Sequence, residues 1–254
     1  MERPRVLIVD FASDARAVRC GRAIALALAD ETEMEIVRPA RGRDWAGPGL
    51  MRSSHVILSG SDIPIPRDEP WFADTCRQLR TVVEAGVPVL GVCFGHQILV
   101  QALGEVGMVR RAPVAEYGIR RMRCLPRQAH DPVLGVLPGA GFDAYSLHSD
   151  EVDAARAVPE LGLEVLAESD DCPVQAYRLP GRPVWGVQFH PELTPHVVAE
   201  AVKRAPARLG RPPVPPGVPE AIERHPSCQR PELFDAFLAV PRAEAAGAGT
   251  VAAD

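Results

Sequence analysis

The sequence predicts an α/β fold whose open, mixed and mainly parallel sheet is flanked by helices. Short, continuous apolar runs such as Arg5–Asp10 and Val87–Val92 are typical of strands buried on both faces of a parallel sheet. Helical patterns alternate with these runs, as in strand–helix units joined by right-handed crossovers. After Gly107 short alternating segments separated by turn residues indicate antiparallel or mixed strands added to that sheet.

The first part of the chain alternates between strands and helices. Ser13 and Asp14 are placed to cap the first helix, and Gly86 follows the second helix where glycine commonly ends one. The predicted strands are Arg5–Asp10, Glu35–Val37, His55–Leu58 and Val87–Val92. The predicted helices are Ala15–Asp30, Trp71–Ala85 and Phe94–Leu103.

The second part has shorter strands and a proline-rich end. The predicted strands are Ile119–Leu125, Phe142–Leu147, Leu163–Ala167, Val174–Leu179 and Pro183–Phe189, followed by a helix over Thr194–Arg208. Nine prolines between Pro206 and Pro241 argue against a helix or a central strand there. The exception is a short amphipathic helix over Pro231–Val240 that begins with proline.

We therefore expect one domain over residues 1–205 and a Pro-rich, partly disordered appendage over residues 206–254. Two interpretations of the appendage remain open. It is either a disordered extension or an arm that docks on a partner. In the second case the apolar face of the arm consists of Leu233, Phe234, Phe237 and Leu238.

The composition limits the classes of function. Of 254 residues, 46% are hydrophobic and 24% are charged, which excludes disorder throughout the chain. The net charge of −5 provides no overall basic field for nucleic acid or an anionic membrane. The longest apolar stretch, residues 86–104, contains His96, Gln97 and Gln101 and is not a membrane span. No secretory signal precedes Asp10, so we expect a cytoplasmic protein.

The cysteines predict neither a metal site nor a disulfide framework. Six thiols are scattered along the chain, and none forms a C-x-x-C pair. We therefore expect reduced thiols, no metal and no cofactor. The cysteines are Cys20, Cys76, Cys93, Cys124, Cys172 and Cys228.

The strongest local motif is GVCFGHQ at residues 91–97. Here a buried strand ends and a helix begins, and Gly91 and Gly95 flank Cys93. This is the cysteine counterpart of the G-x-S-x-G elbow, in which small neighbours allow the strand and the helix to approach closely. The thiol would stand at the carboxyl edge of the sheet and at a helix N-terminus, which favours a thiolate.

A second motif supplies a base and a group that can orient it. In GVQFHPE, residues 186–192, a strand delivers His190 to its end, Pro191 stops the strand pairing, and Glu192 follows within reach of the imidazole. Together with Cys93, these residues make a nucleophile–base–orienter set.

In this order, the two motifs resemble those of the class I glutamine amidotransferase family, the triad glutaminases, over essentially residues 1–205. The closest likeness is to the glutaminase domains of GMP synthetases. Further segments agree in order: Leu58-Ser59-Gly60 with the oxyanion strand, Glu116-Tyr117-Gly118 with E-x-G, His148-Ser149-Asp150-Glu151-Val152 with H-G-D-x-V, and Asp171-Cys172-Pro173-Val174-Gln175-Ala176 with N-C-P-V-x-A.

The resemblance implies a flavodoxin-like core and a role for each site residue. Cys93 would be the nucleophile, His190 the general acid and base, and Glu192 the residue that orients His190. The backbone N–H groups of Gly60 and Phe94 would form the oxyanion hole. The glutamine pocket would be lined by Gln97 and a loop of His148, Ser149 and Asp150.

The sequence departs from the family pattern at two places. The usual S-G-G-P is Ser59-Gly60-Ser61-Asp62 here, so the resemblance leaves open the geometry of the loop beside the oxyanion hole. The usual H-G-D is His148-Ser149-Asp150, and serine restricts the backbone more than glycine does. Neither departure removes a residue of the triad.

Three functions remain open. The first is a glutaminase that hydrolyses the glutamine amide through a Cys93 thioester and supplies ammonia to a separate synthase or ligase, because no ATP-grasp or P-loop motif follows residue 205. The second is a stand-alone γ-glutamyl peptidase or hydrolase of the same fold, which needs no partner. The third, a non-enzymatic scaffold, is disfavoured by the intact triad.

Overall fold

The computed structural model describes residues 3–13, 20–28, 32–42, 52–65, 69–208 and 210–243. Within these residues, nine strands form one sheet with the order β2-β1-β3-β4-β9-β8-β7-β5-β6, and helices cover both faces. The prediction of a mixed, mainly parallel sheet is confirmed. The strands are β1 (Arg5–Val9), β2 (Glu33–Val37), β3 (His55–Leu58), β4 (Val89–Val92), β5 (Val109–Cys124), β6 (Phe142–Val152), β7 (Glu164–Glu168), β8 (Ala176–Leu179) and β9 (Val184–Val187).

One half of the sheet is parallel and the other half is antiparallel. Strands β2, β1, β3, β4 and β9 pair in parallel, with Leu58 opposite Gly91 and Gly91 opposite Gly186. Strands β9, β8, β7, β5 and β6 pair antiparallel. The central parallel strands are apolar on both faces because helices cover both sides, as the continuous apolar runs predict.

The helices lie between the strands as the sequence predicts, with some differences in length. The predicted first helix is present over Cys20–Ala27, whereas residues 14–19 and 29–31 lie outside the described residues. The helices are α1 (Cys20–Ala27), α2 (Pro70–Glu84), α3 (Phe94–Leu103), α4 (Ala154–Leu161), α5 (Pro195–Val202), α6 (Ala205–Arg208), α7 (Val218–Arg224) and α8 (Pro231–Leu238).

Strand β2 is two residues longer than predicted, and two other strands are much longer than predicted. Strand β5 begins at Val109 rather than Ile119, with a bulge between Arg111 and Glu116 that breaks the alternation visible in the sequence. Strand β6 continues through Val152, so the segment expected to be a loop is part of a strand. Helix α4 was not predicted, because Pro159 lies inside it.

The helix predicted over Thr194–Arg208 is in fact two helices, α5 and α6. Thr194 caps α5 by accepting a hydrogen bond from the N–H of Val197. Pro206 has no N–H, and its ring would clash with the carbonyl group of Val202 in a continuous helix. The break at this point therefore has a local cause.

The C-terminal segment, defined as residues 210–243, packs against the rest of the chain. The expectation that the prolines exclude a helix near residue 219 is wrong, since helix α7 forms there. Pro219 lies in the first turn of this helix, where an N–H is not needed. On the apolar face of α8, Leu233, Phe234 and Phe237 are fully buried in the main core beside β1 and β9, and Leu238 packs against that core partly buried. The division of the chain at residue 205 stays a prediction.

Candidate active site

Three neighbouring parallel strands end at the same edge of the sheet and bring the predicted site residues together. Strand β3 leads to Gly60, β4 leads to Cys93, and β9 leads to His190. The N–H of Gly95 donates to the carbonyl oxygen of Ser59 at 3.0 Å, which joins the end of β3 to the first turn of α3. This edge is where open α/β sheets place their ligands.

Cys93 occupies a strained backbone conformation at the turn between β4 and α3. Its φ of 53° is the one positive φ of a non-glycine residue among the described residues. A Cβ on Gly91 would lie 2.4 Å from the carbonyl oxygen of Gly95, and a Cβ on Gly95 would lie 2.3 Å from that of Leu58. Both glycines are therefore required for the close approach, and the strained turn lifts the thiol out of the sheet.

His190 and Glu192 are buried and hydrogen-bonded to each other. Nδ1 of His190 lies 2.8 Å from Oε1 of Glu192, and the backbone N–H of His190 donates to the carbonyl oxygen of Tyr145. Burial alone would lower the pKa of His190, but the negative charges of Glu192 and Cys93 outweigh burial and hold it well above its usual value.

The candidate oxyanion donors lie on either side of the thiol. Phe94 is the first residue of α3, so its N–H has no acceptor within the helix. A Cβ on Gly60 would lie 2.8 Å from Cε1 of His190 and 3.6 Å from Cβ of Cys93. Only glycine fits at position 60, and its backbone directly adjoins the site.

The two residues that depart from the family pattern hold the loop after β3. Oγ of Ser61 donates to the carbonyl oxygen of Phe11 at 2.8 Å. The carboxylate of Asp62 accepts hydrogen bonds from the N–H and the Oγ of Ser13 at 3.0 and 2.8 Å. Asp62 also forms an ion pair with Arg208 at 3.0 Å. Side-chain contacts thus fix this loop where the family pattern has glycine and proline.

Gln97 lies beside the thiol, on the first turns of α3. Its Nε2 donates to the carbonyl oxygen of Asp150 at 2.7 Å and to Oε1 of Gln188 at 2.9 Å. Nε2 of Gln188 in turn lies 3.6 Å from Sγ of Cys93. Gln188 was not selected from the sequence, although strand alternation places it on the same side as His190, two residues later.

The predicted pocket residues 148–150 have different surroundings. The side chain of His148 points to Glu116, with Nε2 at 2.9 Å from Oε2, and not to the thiol. The hydroxyl of Ser149 contacts that of Tyr117. Asp150 approaches the site through its backbone carbonyl oxygen, and its carboxylate lies 3.3 Å from Arg111.

Cys20, at the start of α1, is a second thiol at the site that the sequence did not predict there. Its Sγ lies within 4.8 Å of an imidazole nitrogen of His190 and 3.2 Å from where a Cβ on Gly60 would be. Burial raises the pKa of Cys20 to about 12, although the nearby His190 opposes this. No sequence motif marks this residue.

Among the described residues, the side chains of Cys20, His190 and Glu192 form the one group of three that could hold a metal ion, with ligand atoms within 4.8 Å of one another. Within the same parts of the chain, every helix is too short or too polar to cross a bilayer.

Comparisons with known proteins agree with this geometry. Residues 34–203 match the family model described as glutamine amidotransferase class-I. A glutamine-hydrolyzing GMP synthase from Aeropyrum pernix is 33% identical over 76% of this chain and 34% of its own length. One subunit of a glutamine-hydrolyzing GMP synthase from Methanocaldococcus jannaschii is 39% identical over 54% of this chain and 64% of its own length. The chain therefore spans less than two thirds of each of these relatives.

Solved structures show the same fold. A glutamine amidotransferase from Thermotoga maritima superposes with a TM-score of 0.73 at 17% identity, over 94% of this chain and all of that chain. A glutamine amidotransferase from Methylobacillus flagellatus superposes with a TM-score of 0.65 at 22% identity, over 93% of this chain and 90% of that chain. Because residues 34–203 match the model of this family, the chain belongs to the class-I glutamine amidotransferase family.

Proposed function

We propose that this chain hydrolyses the side-chain amide of glutamine and supplies the ammonia to a separate synthase. The observation that carries the proposal is the thiol of Cys93 on its strained turn, beside a His190 whose pKa the thiol helps to raise and that Glu192 orients at 2.8 Å. An activated thiol, a proton carrier and nearby backbone donors are the parts that acyl transfer from an amide requires.

In the first half of the reaction, the Cys93 thiolate attacks the carbonyl carbon of the glutamine amide. The N–H groups of Gly60 and Phe94 hold the oxygen as it becomes negative, which stabilises the transition state more than the bound amide. His190, whose raised pKa keeps it protonated near neutrality, donates its proton to the departing nitrogen. Ammonia leaves, and a γ-glutamyl thioester remains on Cys93.

In the second half, water attacks the thioester. His190, now neutral, accepts a proton from that water, and the same backbone donors hold the second oxyanion. Collapse of this intermediate releases glutamate and restores the Cys93 thiolate and the His190 imidazolium. Glu192 keeps the imidazole in one orientation and stabilises its charged form throughout.

A separate synthase is proposed because of the nature of the relatives. The relative from Methanocaldococcus jannaschii is one subunit of a GMP synthase rather than the whole enzyme. Ammonia that escapes into water is protonated and ceases to be a nucleophile, so a synthase that uses it must dock on the glutaminase. The expected partner is therefore an enzyme that activates an acceptor for amination and receives ammonia directly.

Glutamate release by the purified chain tests the proposal. We expect slow hydrolysis of glutamine by wild type and none by Cys93→Ala. A γ-glutamyl electrophile such as 6-diazo-5-oxonorleucine should label Cys93, which peptide mass spectrometry can show. A chain that neither releases glutamate nor reacts with this electrophile, with or without a candidate synthase, contradicts the proposal.

One observation favours a second function, a stand-alone γ-glutamyl hydrolase. The loop after β3 is already held by Ser61, Asp62 and Arg208, so no partner is needed to fix it. Comparing glutamine with a γ-glutamyl dipeptide under identical conditions separates the two functions. Faster cleavage of the dipeptide by the isolated chain favours the hydrolase, and acceleration of glutamine hydrolysis by a synthase favours the ammonia-supplying glutaminase.

A further inference from the structure

The chain after the family match, beyond residue 203, contacts the loop after β3, strand β6 and the loop after β9, which all border the site. Arg208 binds the loop after β3 through Asp62. Arg211 donates to the carbonyl oxygen of Ser149 on β6 at 3.1 Å. Gln229 donates from Nε2 to the carbonyl oxygen of Glu192 at 3.3 Å. Since these three elements come from different parts of the chain, one segment links them all.

The contact of Arg208 adjoins the oxyanion hole. Asp62 lies two residues after Gly60, and its carboxylate is held between Ser13 and Arg208. The Asp62 side chain is 14% exposed and that of Arg208 is 38% exposed, so solvent only partly screens the pair. Loss of Arg208 would leave Asp62 with its contacts to Ser13 and would loosen the loop that carries the Gly60 N–H.

The contact of Arg211 bridges two strands beside the candidate substrate groove. Its Nη2 reaches the carbonyl oxygens of Ala112, at the bulge of β5, and Ser149, in β6. These two acceptors flank the stretch in which regular β5–β6 pairing is interrupted. The guanidinium of Arg211 thus takes the place of the missing hydrogen bonds between the two strands next to Asp150. The carbonyl oxygen of Asp150 in turn accepts a hydrogen bond from Gln97.

A third set of contacts fixes the loop after β9, which carries His190. The backbone N–H of Arg230 donates to the carbonyl oxygen of Pro191 at 2.9 Å, and its guanidinium lies over the ring of Phe142. The N–H of Cys228 donates to the hydroxyl of Tyr145, whose own carbonyl oxygen binds the N–H of His190. The C-terminal segment therefore touches both sides of this loop.

We propose that Arg208 and Arg211 are positioning residues for the reaction and that they act on different steps. This inference rests on the proposed glutamine hydrolysis. Arg208 acts through Asp62 on the loop after β3, which carries the N–H of Gly60, and this donor matters most in the transition state. Arg211 acts through Ser149 on the strand that borders the groove, which matters for binding the substrate.

The expected kinetic effects differ accordingly. Arg208→Ala should lower kcat by about fivefold with little change in KM, because it loosens a donor that acts only when the oxyanion forms. Arg211→Ala should raise KM by about fivefold with kcat nearly unchanged, since binding to the ground state and to the transition state weaken together. The conservative variant Arg208→Lys should recover most of the lost kcat through its charge.

Arg204→Ala is the matched control. Arg204 lies four residues before Arg208, in the turn between α5 and α6, and forms an exposed ion pair with Glu200 of α5, 3.1 Å apart. It should leave both kinetic constants within twofold of wild type. Equal effects of Arg204→Ala and Arg208→Ala, or unchanged kinetics in both Arg208→Ala and Arg211→Ala, would overturn the inference.

Hydrogen exchange provides a readout that does not depend on the activity. Arg208→Ala should increase amide exchange in a peptide that covers residues 59–63, whereas Arg204→Ala should not. Unchanged exchange in Arg208→Ala contradicts the positioning role even if the chain proves to have another substrate. If Arg208→Ala increases the exchange but wild type shows no glutaminase activity, the proposed function is contradicted, whereas the effect of Arg208 on this loop is not.

A different observation carries a second inference, which concerns Cys20. Its Sγ, an imidazole nitrogen of His190 and a carboxylate oxygen of Glu192 lie within 4.8 Å of one another, and all three residues are buried. Oε2 of Glu192 is buried and without a hydrogen-bond partner in the structure. A thiol, an imidazole and a free carboxylate oxygen are the donors that Zn²⁺ prefers.

We propose that Zn²⁺ binds these three residues and inhibits the enzyme. Zinc would sit about 2.0–2.3 Å from each ligand atom, and ligand atoms within 4.8 Å of one another can surround one ion after small side-chain adjustments. The ion displaces two protons to solvent, one from the Cys20 thiol and one from the His190 imidazolium, because thiolate and neutral imidazole are the ligands. Bound zinc occupies His190, which can then no longer transfer protons.

Titration with Zn²⁺ alone, followed by calorimetry, tests the site. Cys20→Ala should bind zinc at least tenfold more weakly than wild type, whereas Cys93→Ala should bind it as wild type does. Relative to its own activity without zinc, Cys20→Ala should resist inhibition by zinc, and Cys20→Ser provides a second variant if alanine impairs folding. Equal zinc affinity in wild type and in whichever Cys20 variant folds would overturn this site.

Discussion

Oε2 of Glu116 lies 2.9 Å from Nε2 of His148, and this contact joins β5 to β6 inside the core. The same carboxylate accepts hydrogen bonds from Ser169 and from Gln175 at 2.5 and 2.7 Å. Three sequence segments that are far apart along the chain therefore meet at one buried carboxylate. The network supports the strand on which Ser149 and Asp150 approach the thiol.

The first prediction concerns the dependence of stability on pH. Burial by itself would raise the pKa of Glu116, but His148, Ser169 and Gln175 outweigh it and lower the pKa from 4.5 to about 2. The carboxylate therefore stabilises the fold fully above pH 4.5, and this contribution is lost as the pH falls towards 2. Urea unfolding should show that wild type loses more stability than Glu116→Gln over this range. Parallel losses in the two proteins would contradict the network.

The second prediction concerns the nucleophile. Cys93→Ala should abolish glutamine hydrolysis and keep the fold, because alanine leaves only a small cavity. Cys124→Ala is the matched control, since Cys124 is half-buried and its thiol contacts the carbonyl oxygen of Pro138 at 3.3 Å. It should keep full activity in the same assay of glutamate release. Residual turnover in Cys93→Ala above that of the blank would exclude Cys93 as the nucleophile.

The third prediction concerns the strain at Cys93. Alanine keeps the unfavourable φ of 53°, whereas glycine relieves it. The relief of such strain, about 1–3 kcal/mol, should exceed the entropic cost of glycine, about 0.5–1 kcal/mol. Cys93→Gly should therefore unfold at a higher temperature than Cys93→Ala by calorimetry. A lower melting temperature for the glycine variant would show that the turn is not strained.

The fourth prediction separates the roles of the base and of the residue that orients it. His190→Asn should reduce kcat almost as much as the loss of Cys93, because the imidazole both donates and accepts the transferred proton. Glu192→Gln should cost less, since it keeps an oxygen for the Nδ1–H of His190 and loses only the charge. Steady-state kinetics on glutamine measure both. An equal loss in the two variants would mean that Glu192 does more than orient and stabilise His190.

The fifth prediction concerns the glycine after the nucleophile. Gly95→Ala would place a Cβ 2.3 Å from the carbonyl oxygen of Leu58, so α3 must move away from β3. We expect a destabilisation of about 1–3 kcal/mol, the range for overpacked sites, together with loss of activity. Gly139→Ala is the control, because its nearest neighbour would be 3.9 Å away. Chemical unfolding of both variants checks the difference.

Local sequence patterns were sufficient for most of the sheet and for selecting Cys93, His190 and Glu192 as candidates, whose catalytic roles stay a prediction. The strands β1, β3 and β4 were found within two residues of their ends because apolar runs mark buried parallel strands. Cys93 and His190 were found because a nucleophile on a tight turn needs specific small neighbours, which leave a readable motif.

Local patterns failed where contacts between distant residues decide the structure. The alternation of β5 is broken by its bulge, and the first turn of helix α7 contains a proline, which in a helix interior would be a breaker. The sequence of α8 indicates an apolar face but not whether that face packs on this chain or on a partner, because the amphipathic pattern is the same in both cases.

The sequence by itself determined the fold class and the order of the strands that carry the site, because hydrophobic periodicity and glycine requirements act over a few residues. Only the tertiary structure decided that Cys20 meets His190, that Arg208 holds Asp62, and that the residues beyond 210 pack on the site. These contacts join residues up to 170 positions apart, as between Cys20 and His190. No local pattern encodes them, because they arise only when the whole sheet brings its loops to one edge.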